Sequence, residues 1–184
     1  MKRRKFLSGG LLGLGGLLTS RGLKSQTPNE DFNAFLGERV AQAGLQGSVF
    51  DLQTEALPKV RIALIGLGNR GSSLIDMLEW LVGEGHAEIT AISDINPAKI
   101  EKAAARIAEF QKDAPRAFTG SDAAWKAACS TEVADLALIC TPWEWHTPMA
   151  AHAMRQGLHA ASEVPIATTY QEAIDLVQVA EETQ

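Results

Sequence analysis

Two sets of residues in this chain have the types and spacing to do chemistry. The first is Gly66-Leu67-Gly68-Asn69-Arg70-Gly71, entered from the apolar run Ile62-Ala63-Leu64-Ile65. After Gly71, the residues Leu74, Ile75, Leu78, Leu81 and Val82 fall on one face of a 3.6-residue repeat. A strand, a G-x-G-x-x-G turn and a helix in succession form the context in which this motif holds a dinucleotide. Gly66 permits the tight turn out of the strand. Gly68 lets the backbone approach a pyrophosphate, and Gly71 lets the helix pack close to the sheet. Unpaired N–H groups in the helix's first turn then face the phosphates. The other reading of these glycines is a structural turn in an ordinary α/β unit.

The strand Glu88–Ser93 ends in Asp94, 23 residues after Gly71, near the spacing of about 20 that the fingerprint expects. A carboxylate there accepts both hydroxyls of the adenosine ribose and repels a 2′-phosphate, so the cofactor reads as NAD rather than NADP. The alternative is that Asp94 caps a helix beginning near Pro97.

The second set lies on two later strand ends. One strand runs into Cys140-Thr141-Pro142-Trp143-Glu144-Trp145-His146-Thr147-Pro148, the other into Glu163-Val164-Pro165. Two tryptophans, a carboxylate and a histidine on one loop are costly to expose without a purpose. Tryptophan faces suit sugar rings or a nicotinamide, being large, flat and apolar. The plainer alternative puts Trp143 and Trp145 in the core and makes His146 a cap for the next helix. His86, His152 and His159 have no evident partners in sequence.

Positioning these groups takes regular β-α units. Strands are expected at Val60–Ile65, Glu88–Ser93, Arg116–Thr119, Asp135–Cys140 and His159–Glu163. Helices are expected over Ser72–Val82, around Ile100, Ala103, Ala104, Ile107 and Phe110, and briefly around Trp125. A further helix starts at Thr147-Pro148, a cap followed by a first-turn proline, and stops at Gly157. The capping box Thr169-Tyr170-Gln171-Glu172 opens the last helix. The fold class is α/β, a doubly wound parallel sheet of the Rossmann type, with ligands at the carboxyl ends of its strands. Because the chain stops where a sixth strand is due, a second domain is expected beyond it.

Residues 1–25 read as a targeting segment, 26–57 as an amino-terminal arm with a short amphipathic helix from Phe32, Phe35, Leu36 and Val40, and 58–184 as the dinucleotide-binding domain. Arg3-Arg4-Lys5-Phe6-Leu7 matches a twin-arginine (Tat) signal, and the apolar run after it is too short to span a bilayer. The alternatives are a Sec signal or an uncleaved anchor. On this reading the protein is exported to the periplasm and keeps no stable membrane anchor. The first 24 residues hold six basic residues and no acid, which leaves 11 basic against 22 acidic residues, net −11. Such an acidic body argues against nucleic acid as a partner. Cys129 and Cys140 form neither a disulfide framework nor a zinc spacing, and read as free, packed thiols.

Taken together, the glycine motif, Asp94, Thr141-Pro142 followed by His146, and Glu163-x-Pro165 resemble the Gfo/Idh/MocA oxidoreductases over about residues 58–184. That family usually has Glu-Lys-Pro where this chain has Glu163-Val164-Pro165, and its lysine is commonly the acid/base. The Trp-Glu-Trp-His run with Glu163-Val164-Pro165 is similar to glycoside hydrolase family 109, whose activity is NAD-dependent α-N-acetylgalactosaminidase. The resemblance implies NAD contacts from Asn69, Arg70, Asp94, Trp143, Glu144, Trp145, His146, Glu163 and Val164, beside Gly66, Gly68, Gly71, Thr141 and Pro142. His146 and Glu163 are the candidates for catalysis, and a glycan is the expected small-molecule substrate. The implied route is oxidation at sugar carbon 3, loss of the carbon 2 proton, elimination of the aglycone, addition of water and re-reduction. Net oxidation of a sugar and a non-catalytic nucleotide-binding subunit are the alternatives. Assembly into a homo-oligomer stays open.

Overall fold

A computed structural model of the chain describes residues 28–183, so the twin-arginine segment and the first residues of the arm lie outside the described residues. The chain divides into a short unit ending at Leu36 and a second unit, Gly37–Gln184, that carries the sheet. The helix expected from Phe32 to Val40 is present as α1, Pro28–Ala43. In the second unit, the turn that follows is tied to the last helix, where Gln46 and Gly47 donate their backbone N–H groups to the Glu181 carboxylate at 2.8 and 2.5 Å.

Five strands, β1 (Val60–Ile65), β2 (Ala87–Ser93), β3 (Arg116–Phe118), β4 (Leu136–Ile139) and β5 (His159–Ser162), form one parallel sheet in the order β3-β2-β1-β4-β5. Alternation along β1 assigns the two faces. Ile62 and Leu64 join Leu67, Ile75, Leu78, Ile100 and Ile107 under helices α2 (Asn69–Gly83) and α3 (Pro97–Ile107). Ala63 and Ile65 face the opposite way and pack with Trp125, Met149, Ala150 and Ala153. That second face is covered by a 3-10 turn at Ala124–Ala128 and by helices α4 (Trp143–Arg155) and α5 (Tyr170–Thr183), with Leu176 of α5 packed against it. Each fully buried Ile or Leu contributes about 1.5–3 kcal/mol, so this two-sided burial holds the strand ends in place. The pairing shifts register between Ile62 and Ala63, which leaves Thr90 as an extra residue in β2. The bulge explains why Ile89 and Ile92, three apart, reach the same face.

At the end of the sheet remote from the glycine turn, Arg61 clamps β1 to β4. Its side chain donates to both Asp135 oxygens at 3.1 and 2.6 Å, and its backbone N–H donates to Asp135 at 2.9 Å. The Arg61 side-chain bonds, more than any other cause, hold the Asp135 carboxyl below its ordinary pKa, against a smaller upward push from desolvation.

Several boundaries differ from the sequence expectation. Helix α2 begins at Asn69 rather than Ser72, directly after Gly68. Helix α4 begins at Trp143, not after Thr147-Pro148, so the Trp-Glu-Trp-His run forms its first turn instead of a loop. Pro148 falls inside that helix, where it has no N–H to give the carbonyl four residues back. Thr147 does not cap: its hydroxyl donates to the Ile166 carbonyl at 2.7 Å. Strands β3, β4 and β5 stop at Phe118, Ile139 and Ser162, and α3 ends at Ile107 before Phe110. The capping box at α5 forms as read. Glu172 accepts from the Thr169 N–H at 3.0 Å, and the Thr169 hydroxyl accepts from the Glu172 N–H at 3.2 Å.

Candidate functional site

The chain order reverses between β1 and its neighbour β4, and a crevice forms at their carboxyl ends, as doubly wound sheets require. Gly66 leaves β1 with φ 91, and a Cβ there would lie 2.7 Å from the Cys140 carbonyl carbon and oxygen. A Cβ on Gly71 would overlap the Gly66 carbonyl oxygen. Gly68 is different: a Cβ would meet only the Lys99 Nζ, 3.9 Å away. Two glycines therefore serve the backbone crossing, while the third leaves open space in front of helix α2. No side chain caps that helix and no acid lies in its first turn, so its leading N–H groups face the opening.

Asp94 takes a part that the sequence did not disclose. Its side chain is only 6% exposed, with one oxygen accepting the Leu67 N–H at 2.8 Å and the other the Asn96 N–H at 2.9 Å. The helix cap is Asn96, which accepts from the Ala98 N–H at 3.0 Å. Asp94 thus ties the glycine turn to the end of β2, with Lys99 Nζ 3.6 Å from it. Each carboxylate oxygen still has a second acceptor position for a ribose hydroxyl.

Across the crevice, Arg70 donates from Nε to Glu163 at 2.7 Å, joining the start of α2 to the turn after β5. Val164, next to it, is 80% exposed, and its bond to Pro165 is cis. Asn69, Pro142, Trp143 and Glu144 are exposed along the rim, Trp145 is 38% exposed, and Thr141 is half-buried. The tryptophans are therefore rim residues and not core. His146 is the reverse, 1% exposed, with Nδ1 2.8 Å from the Pro165 carbonyl and Nε2 2.7 Å from the Thr141 carbonyl. Each ring nitrogen thus lies within hydrogen-bond distance of a backbone carbonyl, and His146 bridges the turns after β4 and β5 from a buried position. Glu163, the other candidate, is half-buried and held by Arg70, and it is not among the residues that line the cleft. The Cys140 thiol beneath is pushed up to about 12, mainly by burial and then by the Glu163 charge.

A cleft of about 390 Å³ runs from Gly66, Gly68 and Asp94 to Thr141, Pro142 and Trp145. Its walls also include Ile95, Lys99, Ser121, Asp122, Trp125 and Met149, which the sequence reading did not select. Lys99 was accessible in principle, standing one helical turn beyond the acid. Trp125 carried no such signal, since its approach depends on the crossover from β3 to β4. The open backbone at Gly68, the uncapped helix and the buried acid fit a dinucleotide: Gly68 and α2 would hold the pyrophosphate and Asp94 the ribose.

Residues 60–184 match the Gfo/Idh/MocA family, described as an oxidoreductase family with an NAD-binding Rossmann fold. The chain belongs to that family. Among its relatives, a glycosyl hydrolase family 109 protein of Shewanella sp. (strain W3-18-1) is 39% identical over 137 residues, covering 74% of this chain and 29% of the relative. Another, from Shewanella baltica (strain OS155), is 34% identical over 182 residues, covering 99% of this chain and 37% of the relative. The chain thus spans about a third of the length of these curated relatives. Among solved structures, the WlbA dehydrogenase of Chromobacterium violaceum, crystallised with NADH and UDP-GlcNAcA, superposes with a TM-score of 0.59 at 25% identity over 72% of this chain and 35% of that one. NAD is the cofactor of this Gfo/Idh/MocA domain.

Proposed function

We propose that this chain supplies the NAD-holding part of an exported glycosidase of the α-N-acetylgalactosaminidase type, with a second domain completing the sugar site. The observation that carries the reading is Val164. In the resembled dehydrogenases the Glu-x-Pro turn presents a lysine to the substrate. Here the same position presents an exposed aliphatic side chain that moves no proton. The relatives named as family 109 proteins, together with the Trp-Glu-Trp-His turn, support cleavage over net oxidation.

A bound NAD supplies a hydride acceptor that takes and returns a hydride at sugar carbon 3. This chain's residues have narrower tasks. The first turn of α2 and Gly68 would orient the pyrophosphate. Asp94 would fix the ribose, and the Arg70–Glu163 pair would hold the rim turn in register. Trp143 and Trp145 would give the sugar or the nicotinamide a flat apolar wall. Oxidation at carbon 3 would acidify the carbon 2 proton; a base would take that proton as the aglycone left carbon 1, water would add across the same two carbons, and the hydride would return to carbon 3. This route needs no paired carboxylates of the ordinary hydrolase kind.

The full-length protein, given an aryl α-N-acetylgalactosaminide in D₂O, is expected to release the phenol without accumulating NADH and to place deuterium at carbon 2 of the product. Cleavage without NAD, or a product carrying no deuterium, would overturn the redox route. The second reading, net sugar oxidation, draws on the WlbA likeness and predicts stoichiometric NADH. For export, changing Arg3 and Arg4 together to lysine is expected to hold the full-length protein in the cytoplasm, and unchanged periplasmic yield would refute the twin-arginine assignment.

A further inference from the structure

Among the described residues that line the dinucleotide cleft, Lys99 is the one cation, and Asp94 and Asp122 are the acids. Lys99 is the third residue of α3, whose first turn holds no acid. A cation there opposes the positive end of the helix dipole, so helix stability does not account for the placement. The side chain reaches back over the end of β2. Its Nζ lies 3.6 Å from an Asp94 oxygen and 3.9 Å from the point that a Cβ on Gly68 would occupy. The first distance makes an ion pair but is too long for a hydrogen bond, so Asp94 leaves the ammonium donors available. That Asp94 oxygen already accepts the Leu67 N–H at 2.8 Å. The Lys99 side chain is 45% exposed, against 6% for Asp94, so the ammonium is open to a ligand in the cleft. A ribose held by Asp94 brings its 2′ oxygen to the same carboxylate that Lys99 faces.

We infer that Lys99 is a specificity-determining partner of Asp94, able to seat a 2′-phosphate as soon as the Asp94 charge is removed. With the carboxylate present, a 2′-phosphate is repelled and the ammonium is neutralised by its neighbour. With the carboxylate gone, the ammonium faces the 2′ position unpaired and offers a phosphate charge-assisted hydrogen bonds. One side chain thus separates this NAD site from an NADP site. The inference rests on the cleft holding the adenosine ribose at Asp94, and it adds a residue outside the glycine motif and the strand-end acid.

Calorimetric titration with NAD and with NADP tests this on the parent protein, Asp94→Ser and the double variant Asp94→Ser with Lys99→Met. Serine removes the charge and keeps a hydroxyl to accept the Leu67 N–H. Asp94→Ser is expected to raise the ratio of NADP to NAD affinity at least about tenfold, the worth of the charged hydrogen bond that NAD loses. Adding Lys99→Met should then lower that ratio about tenfold, because the 2′-phosphate loses its own charged partner. A lysine that serves only the pyrophosphate, which both nucleotides share, weakens NAD and NADP equally. A ratio that Lys99→Met leaves unmoved in the Asp94→Ser background would therefore overturn the inference. If Asp94→Ser folds poorly, Asp94→Asn, which keeps the shape and a carbonyl for the Leu67 N–H, carries the same comparison. Unaltered NAD affinity in Asp94→Ser would instead remove the ribose from Asp94, and the inference with it.

Discussion

Replacing Gly68 and Gly71 by alanine, one at a time, is expected to separate ligand from fold. At Gly71 the new Cβ overlaps the backbone oxygen of Gly66, and no rotamer relieves that contact. Gly66 lies close enough to the Cys140 carbonyl that a Cβ there would come within 2.7 Å of it, so the backbone has little room to shift that way. Overpacking against fixed backbone belongs at the upper end of the usual range, about 3 kcal/mol. Alanine's helical preference over glycine returns at most about 1 kcal/mol. The net loss of about 2 kcal/mol lowers the melting temperature by roughly 4–8 °C in a chain of this size. At Gly68 the Cβ meets only the tip of a lysine, and φ −69 with ψ −162 suits any residue. Alanine is a poorer N-cap than glycine by about 0.5 kcal/mol, a shift of roughly 1–2 °C. The same methyl stands where the pyrophosphate must approach, so NAD affinity should fall at least about tenfold, or roughly 1.4 kcal/mol. Thermal melts with calorimetric NAD titration read both effects. Undiminished NAD affinity in Gly68→Ala would refute the placement of the pyrophosphate, and an unshifted melt in Gly71→Ala would refute the packing argument.

Four further outcomes are expected. Asp94→Ala should weaken NAD binding about ten- to a hundredfold, since hydrogen bonds to a charged group are worth about 1.5–3 kcal/mol; an unchanged titration would leave Asp94 a purely structural tie. Because Arg61 depresses the Asp135 carboxyl in the folded state, the clamp's contribution is present above the unfolded value near 4 and is lost as pH falls through the folded value. The acid-side drop in melting temperature should therefore be shallower in Asp135→Asn. Thr169→Ala removes the cap of α5 and should cost about 1 kcal/mol, or roughly 2–4 °C, read by the same melt. Burial holds the Cys129 thiol at about 11 and Cys140 at about 12, so iodoacetamide at pH 7 should label neither in the native protein and both in guanidinium.

The strands and most helices were legible because each carries its own periodic signal within a dozen residues. Helix α4 shows where such signals mislead. Around this helix the sequence holds two Thr-Pro pairs, Thr141-Pro142 and Thr147-Pro148, six residues apart, and both resemble a start. The first is the real one, and Glu144 in the opening turn agrees with it. The second pair is displaced from its usual duty because Thr147 is needed across the turn, at Ile166. The glycines and Asp94 were readable as a motif. What Asp94 grips was not, since Leu67 lies 27 residues back along the chain. Nor could the Arg70–Glu163 pair be seen, with 93 residues between its members. Sequence marks His146 as chemically able. Only packing reveals that each of its nitrogens lies against a backbone carbonyl.

The central position of β1 has a consequence for synthesis. It is the first of the sheet's five strands to be made, and it lies between β2 and β4. Its partner β2 follows within a few dozen residues, but β4 begins 71 residues after β1 ends, at Leu136. A ribosome working at roughly 5–20 residues per second leaves that second edge of β1 unpaired for about 4–14 s. Over that interval the nascent chain shows an apolar strand with a free ladder of N–H and C=O groups, ready to pair with any other chain. The NAD-binding domain is thus at its most vulnerable before its own fourth strand exists, and trigger-factor-like or holdase chaperones would be most useful to it while residues 66–135 are being made.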